Sequence, residues 1–257
     1  MILAGVLGFP VAHSRSPAMM NAAFAELGLD WRYVKLPVPP ERFGETVRAL
    51  PASGYRGANV TIPHKLAARE LADELTDAAR AIGAANTLSF EDGRIVADNT
   101  DAGGLLDALG KQVPATALVL GAGGAGRAAV WALRQAGARV AVWNRTPERA
   151  AALAAEFGVR HAQRPEPAEL VVNATSVGLA GEAADEALGL TTLAAPATLV
   201  DLVYGAQATG ISRWAAARGS RVVDGLDVLV RQGARSLERW TGRPAPLEVM
   251  RNAVAAG

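Results

Sequence analysis

Apolar residues along the chain alternate between two rhythms. Short runs of strand length, at Ile2–Leu7, Trp31–Leu36 and Gly57–Ile62, are separated by stretches with a helical period. Pro17 suits the first turn of a helix whose stripe is Met19, Met20, Ala23, Phe24 and Leu27, and Gly28 ends it. Pro40–Leu50 places Phe43, Val47 and Leu50 at i, i+4 and i+7. Pro63 turns the chain into a helix expected to run to about Leu75. Ala84–Phe90 and Arg94–Asp98, joined by Asp92-Gly93, read as a hairpin. The first hundred residues thus form a small α/β unit.

Thr100–Gly110 reads as a helical connection, after which the alternation becomes regular. Strands are expected at Ala117–Leu120, Val140–Trp143, Leu170–Val172, Thr198–Leu202 and Arg221–Val223. Helices are expected at Arg127–Ala136, Ala150–Phe157 and Ile211–Arg218. Such alternation predicts a parallel, doubly wound sheet. Two helical pieces close the chain, one from Leu226 to near Thr241 and one from Leu247, and they are expected to pack back on the first domain. The fold class is therefore α/β, with domains at 1–101 and 102–225 and returning helices at 226–257. Gly178–Leu188, small and acidic, is expected to be a mobile loop.

Composition narrows the chemistry. A net charge of +1 over 257 residues makes no electrostatic case for nucleic acid or an acidic membrane. Cysteine is absent, which removes disulfides and thiolate chemistry. His13, His64 and His161 lack metal-ligand spacing, so no metal site is expected. The apolar N-terminus lacks a basic flank and reaches Pro10 quickly, so it reads as a buried strand rather than a signal peptide. With no apolar run approaching a membrane span, a cytoplasmic protein is expected.

One stretch carries a ligand signature. Between the strand at Ala117–Leu120 and the helix from Arg127, the sequence Gly121-Ala122-Gly123-Gly124-Ala125-Gly126 satisfies GxGxxG. Strand before and helix after is the context a dinucleotide site requires. The first glycine permits the turn, the second lets backbone approach a pyrophosphate, and the third lets helix and strand pack closely. NAD sites place an acidic residue after the second strand to bind the ribose 2′-hydroxyl. Here Asn144-Arg145-Thr146 stands there, with Arg149 one turn later. A carboxylate would repel a 2′-phosphate, whereas a guanidinium pairs with its oxygens, so the segment points to NADP.

Further stretches carry a family resemblance: GFPVAHSRSP (Gly8–Pro17), GANVTIPHK (Gly57–Lys65), GAANT (Gly83–Thr87), DNTDAGG (Asp98–Gly104), VNATSVG (Val172–Gly178), DLVYG (Asp201–Gly205) and DGLDVLVRQG (Asp224–Gly233). With the glycine loop and NRTPER they closely resemble shikimate dehydrogenase, in order and spacing, over nearly the whole chain. The resemblance implies NADP(H)-linked interconversion of 3-dehydroshikimate and shikimate, in the pathway to aromatic amino acids. It also implies a cleft between a substrate domain and a Rossmann-type NADP domain. Ser14 and Ser16 match the serines that bind the substrate carboxylate. Asn59, Thr61, Asn86 and Asp101 match residues around the ring hydroxyls, and Tyr204 and Gln232 match later substrate contacts. Lys65 matches the catalytic lysine. Gly121, Ala122, Gly123, Gly124 and Ala125, with Asn144, Arg145, Thr146 and Arg149, match the cofactor segments. Asp77, Leu202 and Gly225 match positions framing the nicotinamide end.

These residue types suit the chemistry. A small acid with three hydroxyls is read by short hydroxyl and amide side chains, which both donate and accept. Reduction of a ketone develops negative charge on oxygen, which Lys65 can stabilise and protonate, with Asp101 orienting it. Taken singly, Lys65 could be a solvated charge, Asp101 a helix cap, the two serines caps, and Asn59 a tie between loops. His13 and His64 read as structural. Asp227 and Val228 depart from the family's usual glycine and methionine, and Val228 leaves less cover near the nicotinamide. Two alternatives stay open: a quinate/shikimate dehydrogenase of broader substrate and cofactor use, and a non-catalytic NADP-binding regulator. A monomer and a homodimer fit equally.

Overall fold

The computed structural model describes residues 1–110, 113–178, 188–190, 193–205 and 207–256. Most of the loop expected at Gly178–Leu188, residues 179–187, lies outside them. Two compact units emerge: Met1–Gly104 together with Leu229–Gly257, and Leu105–Val228.

The first unit is built on a mixed sheet of six strands: β1 (Ile2–Gly8), β2 (Trp31–Pro37), β3 (Tyr55–Val60), β4 (Glu74–Leu75), β5 (Thr87–Glu91) and β6 (Arg94–Asp98). Their order is β2-β1-β3-β5-β6-β4. β1 runs parallel to both neighbours, while β5 is antiparallel to β3 and β6. Five consecutive residues of β1 are buried, as expected of a central strand covered on both faces. Leu7, Ala58, Val60 and Leu88 pack against Phe43 and Val47 of the helix Phe43–Ala49. The last helix, Leu247–Ala255, lies on the first, Ser16–Glu26, and Arg15 Nη1 donates to the Val254 carbonyl at 2.9 Å.

The helix entered at Pro63 departs from expectation, because it occupies Lys65–Leu71 and stops short of Leu75. Ala72 turns extended (φ −71°, ψ 143°), and Asp73 donates its N–H to the Ile95 carbonyl at 2.9 Å. In return the Asp73 carboxylate accepts the Ile95 N–H at 2.8 Å, and Glu74–Leu75 join the sheet beside Val96–Ala97. A separate helix, Asp77–Ile82, then starts from a cap, with Thr76 Oγ1 accepting the Ala79 N–H. Local periodicity cannot register a two-residue strand whose partner is the far strand of a later hairpin.

The second unit holds β7 (Thr116–Leu120), β8 (Arg139–Trp143), β9 (Arg160–His161), β10 (Leu170–Asn173), β11 (Thr198–Asp201) and β12 (Arg221–Val223). All are parallel, in the order β9-β8-β7-β10-β11-β12, the doubly wound 3-2-1-4-5-6 arrangement. Alternate residues serve opposite faces. Val119, Val142, Val172 and Val200 join one core cluster, and Leu118, Ala141, Val171 and Leu199 join the other. Val228 is buried in the first of these clusters. The strand order reverses between β7 and β10, the point where such sheets take ligands at the strands' carboxyl ends.

Candidate active site

In the first unit the carboxyl ends of β1 and β3 lie side by side. The Thr61 N–H donates to the Leu7 carbonyl at 2.8 Å and the Phe9 N–H to the Ile62 carbonyl at 3.0 Å. The loop after β1 carries Ser14 and leads to Ser16 at the start of the helix Ser16–Glu26, and the turn after β3 carries Thr61 and leads to Lys65. Lys65 opens the helix Lys65–Leu71, where a cation opposes the helix dipole, so helix stability does not account for it. Its partner does: Lys65 Nζ donates to Asp101 Oδ2 at 2.6 Å, with the two side chains only 13% and 18% exposed. Asp101 opens the helix Asp101–Leu109, where a carboxylate is favoured.

A buried amide holds the carboxylate in place. Asn86 is 2% exposed, and its Oδ1 accepts the Thr100 N–H at 2.7 Å. A backbone N–H can only donate, which fixes the amide orientation and turns Nδ2 outward. Nδ2 lies 2.9 Å from Asp101 Oδ1 and 3.0 Å from Gln232 Oε1. Gln232 comes this close because residue 104 is glycine. A Cβ there would sit 2.7 Å from the Gln232 backbone nitrogen. Gln232 Nε2 uses one hydrogen on the Leu229 carbonyl at 2.7 Å. Lys65, Asp101, Asn86 and Gln232 therefore form one hydrogen-bonded chain.

Asn59 lies behind that chain. Its Oδ1 accepts from the Tyr33 hydroxyl at 2.8 Å, and its Nδ2 lies 2.8 Å from Ser236 Oγ and 3.2 Å from the Asn86 carbonyl. The amide thus ties β3 to the helix Gly225–Thr241, as a tie between loops would. Ser14 and Ser16 are both buried, and Ser14 Oγ accepts the Ser16 N–H at 3.3 Å at the start of an eleven-residue helix. His64 stacks on Phe43 with centroids 4.3 Å apart, and its Nε2 donates to the Val38 carbonyl at 2.7 Å. Burial lowers its pKa, against a smaller raising effect from that hydrogen bond. His64 thus anchors the turn before Lys65, whereas His13 is exposed.

The second unit places the glycine loop at the end of β7. Gly121 adopts φ +108°, a conformation that favours glycine, and its N–H donates to the Trp143 carbonyl at 2.7 Å. A Cβ at Gly126 would overlap the Gly121 carbonyl oxygen, while one at Gly123 would meet nothing within 4 Å. The third glycine therefore serves close packing and the second leaves room for a ligand, as a dinucleotide requires. Asn144 Oδ1 accepts the Ala122 N–H at 3.1 Å, joining the loop to the end of β8. Arg145, Thr146 and Arg149 are exposed, and neither arginine has a carboxylate partner among the described residues. The fit to a dinucleotide bearing a 2′-phosphate is good.

The remaining matched positions divide between the units. Tyr204 and Leu202 follow β11 and are half-buried, and a Cβ at Gly225 would sit 2.8 Å from the Leu202 carbonyl oxygen. Asp77 instead belongs to the first unit, exposed at the start of the helix Asp77–Ile82. Two residues with no assigned role close their strands: Asn173 ends β10 and Asp201 ends β11. Both are fully buried. The signal for them was a polar residue ending a short apolar run, Asn173 after Leu170–Val172 and Asp201 after Leu199-Val200.

Comparison with known proteins points to one family. The profile described as shikimate dehydrogenase substrate binding domain matches residues 6–88. Shikimate / quinate 5-dehydrogenase matches 106–185, and shikimate 5′-dehydrogenase C-terminal domain matches 225–255. The shikimate dehydrogenase (NADP(+)) of Anaeromyxobacter sp. (strain K) is 46% identical over 271 residues, spanning 99% of this chain and 96% of the relative. The shikimate 5-dehydrogenase of Thermus thermophilus, solved with NADP(H) and shikimate, is 43% identical with a TM-score of 0.89, covering 100% of this chain and 99% of that one. A 5-ketofructose reductase of Gluconobacter sp. strain CHM43 shares the fold at 29% identity and a TM-score of 0.83, covering 99% and 98%. No helix among the described residues is long and apolar enough to cross a membrane. With three profiles in order and relatives this similar along its whole length, the chain belongs to the shikimate dehydrogenase family.

Proposed function

We propose that this protein catalyses the reversible NADPH-dependent reduction of 3-dehydroshikimate to shikimate, a step in aromatic amino acid biosynthesis. The observation that carries the reading is the shielded Lys65–Asp101 pair, fastened through Asn86 to Gln232, in a chain of this family. NADPH, held by Gly121–Ala125 and by Asn144–Arg149 with Arg145 and Arg149 on its 2′-phosphate, supplies the hydride. Lys65 Nζ meets the charge developing on the carbonyl oxygen and delivers its proton there; in the reverse direction the neutral amine accepts it. Asp101 holds the ammonium in place while Asn86 holds Asp101. The hydroxyls of Ser14 and Ser16, at a helix start, bind the substrate carboxylate. Thr61, Asn86, Tyr204 and the second N–H of Gln232 read the ring hydroxyls, and Asn59 supports them from behind. Leu202 and Gly225 of the second unit frame the nicotinamide end.

The reading places the protein in the cytoplasm as a monomer or homodimer. Cell fractionation and light scattering test those two statements. The activity is tested at 340 nm by crossing shikimate and quinate with NADP and NAD. Turnover confined to shikimate with NADP is the expected result. Comparable rates with quinate or NAD would replace the proposal with a broader quinate/shikimate dehydrogenase, and binding without turnover would replace it with a regulator.

A further inference from the structure

Asp201 is a buried carboxylate that the proposed reaction does not use. It is 0% exposed, and burial raises its pKa, an effect that neutral hydrogen bonds offset only in part. Burying a charge without a counter-ion is costly unless its oxygens are saturated by donors. Here they are. Oδ1 accepts from Asn173 Nδ2 at 2.9 Å and from the Val203 N–H at 3.2 Å. Oδ2 accepts from Ser212 Oγ at 3.0 Å and from Thr209 Oγ1.

The four donors come from three places. Asn173 closes β10 and lies in register opposite Asp201. Val203 is the second residue of the segment after β11, Thr209 caps the helix Gly210–Ala216, and Ser212 lies in its first turn. Asn173 in turn holds the next turn, its Oδ1 accepting the Thr175 hydroxyl at 2.7 Å and the Thr175 N–H at 3.2 Å. Both strand ends abut glycines of the segments matched to the cofactor. A Cβ on Gly121 would lie 2.8 Å from the Ala174 carbonyl oxygen, and one on Gly225 would lie 3.0 Å from that of Asp201 itself.

We infer that Asp201 is a positioning residue for the nicotinamide and substrate end of the second unit. It clamps residues 202–205, which carry Leu202 and Tyr204, to the turn at 173–177. Its partner in this role is Asn173. The inference rests on the proposed reaction for its kinetic consequence only, since the clamp can also be read without turnover.

Asp201→Asn keeps the shape but turns one acceptor oxygen into a donor. The amide nitrogen turns to the Thr209 and Ser212 hydroxyls, which can rotate to accept from it, and the Asn173 and Val203 N–H groups keep only a neutral amide oxygen in place of a carboxylate oxygen, so the two bonds that join the strand ends weaken. The expected result is a kcat about tenfold lower and a shikimate KM several-fold higher, of the order seen when supporting hydrogen bonds are removed. Affinity for 2′,5′-ADP, which reports the Arg145 and Arg149 end, should stay within about twofold. Thr209→Val should act in the same direction, and Thr209→Ser, which restores the hydroxyl, should return to near-parental kinetics. Amide hydrogen exchange should quicken at 173–177 and 202–205 in Asp201→Asn and stay unchanged at 121–126. Unaltered kinetics and exchange in Asp201→Asn would overturn the inference. So would a parallel loss of 2′,5′-ADP binding, or equal behaviour of Thr209→Val and Thr209→Ser. A parent protein inert toward shikimate would instead refute the proposed reaction, while exchange would still report on the clamp.

Discussion

Asp101 and Asp201 each sit at an element end in their respective units, and they are built in opposite ways. Asp101 is partly shielded, faces a lysine at 2.6 Å and is steadied by one amide. Asp201 is wholly enclosed and faces four donors with no charge among them. A carboxylate meant to share a proton relay needs a mobile cation and access to substrate, which costs it enclosure. A carboxylate meant to hold loops needs every lone pair filled, which leaves nothing with which to react. The accompanying polar groups follow the same division. In the first unit the fixed amide of Asn86 points outward at two functional side chains, whereas in the second Asn173 points inward at one.

Between the two carboxylates, the larger effect is expected at Asp101. Asp101→Asn retains shape but strips Lys65 of its anionic partner, and kcat should fall by about a hundredfold or more. Affinity for 2′,5′-ADP should be untouched, since its residues lie in the other unit; steady-state rates and titration calorimetry read the two effects. If Asp101→Asn were no more harmful than Asp201→Asn, the division between reacting and holding carboxylates would collapse. Next in size is the arginine pair. Arg145→Ala with Arg149→Ala should raise the KM for NADP by about ten- to a hundredfold, through loss of charge-assisted bonds to phosphate. The KM for shikimate should change little, and an equal effect on both would undo the phosphate assignment.

A third buried group, His64, should give the smallest effect. Its pKa is lowered by burial, so the fold favours its neutral form. That contribution to stability is present above the ordinary imidazole value of about 6.5 and is lost as pH falls through the folded-state value. Denaturant titrations at pH 7.5 and 5.5 should show His64→Gln losing less stability on acidification than the parent does. An equal loss in both proteins would remove His64 from the pH response.

The residues that were legible in advance are those that repeat a local rule. The glycine loop was readable because strand, turn and helix are contiguous, and the arginines because they occupy the place where an acid usually stands. β4 was invisible because two residues become a strand only by pairing with β6. The orientation of Asn86 was equally hidden, since it depends on the Thr100 N–H and on a glycine at 104 that admits Gln232. Asp201 and Asn173 lay within stretches already singled out, but their roles depend on being register partners across two strands far apart in sequence. Sequence spacing shows which residue types are present; it does not show which of their atoms are already occupied.

Lys65 is the residue on which the proposed chemistry turns. The decisive experiment pairs turnover with shikimate affinity, by calorimetry, for Lys65→Ala. The expected result is a kcat lower by about a thousandfold or more, with shikimate binding within a few fold of the parent, because the lysine acts on charge that develops during reaction. A variant that keeps most of its rate would remove the lysine from the chemistry and with it the mechanism proposed here.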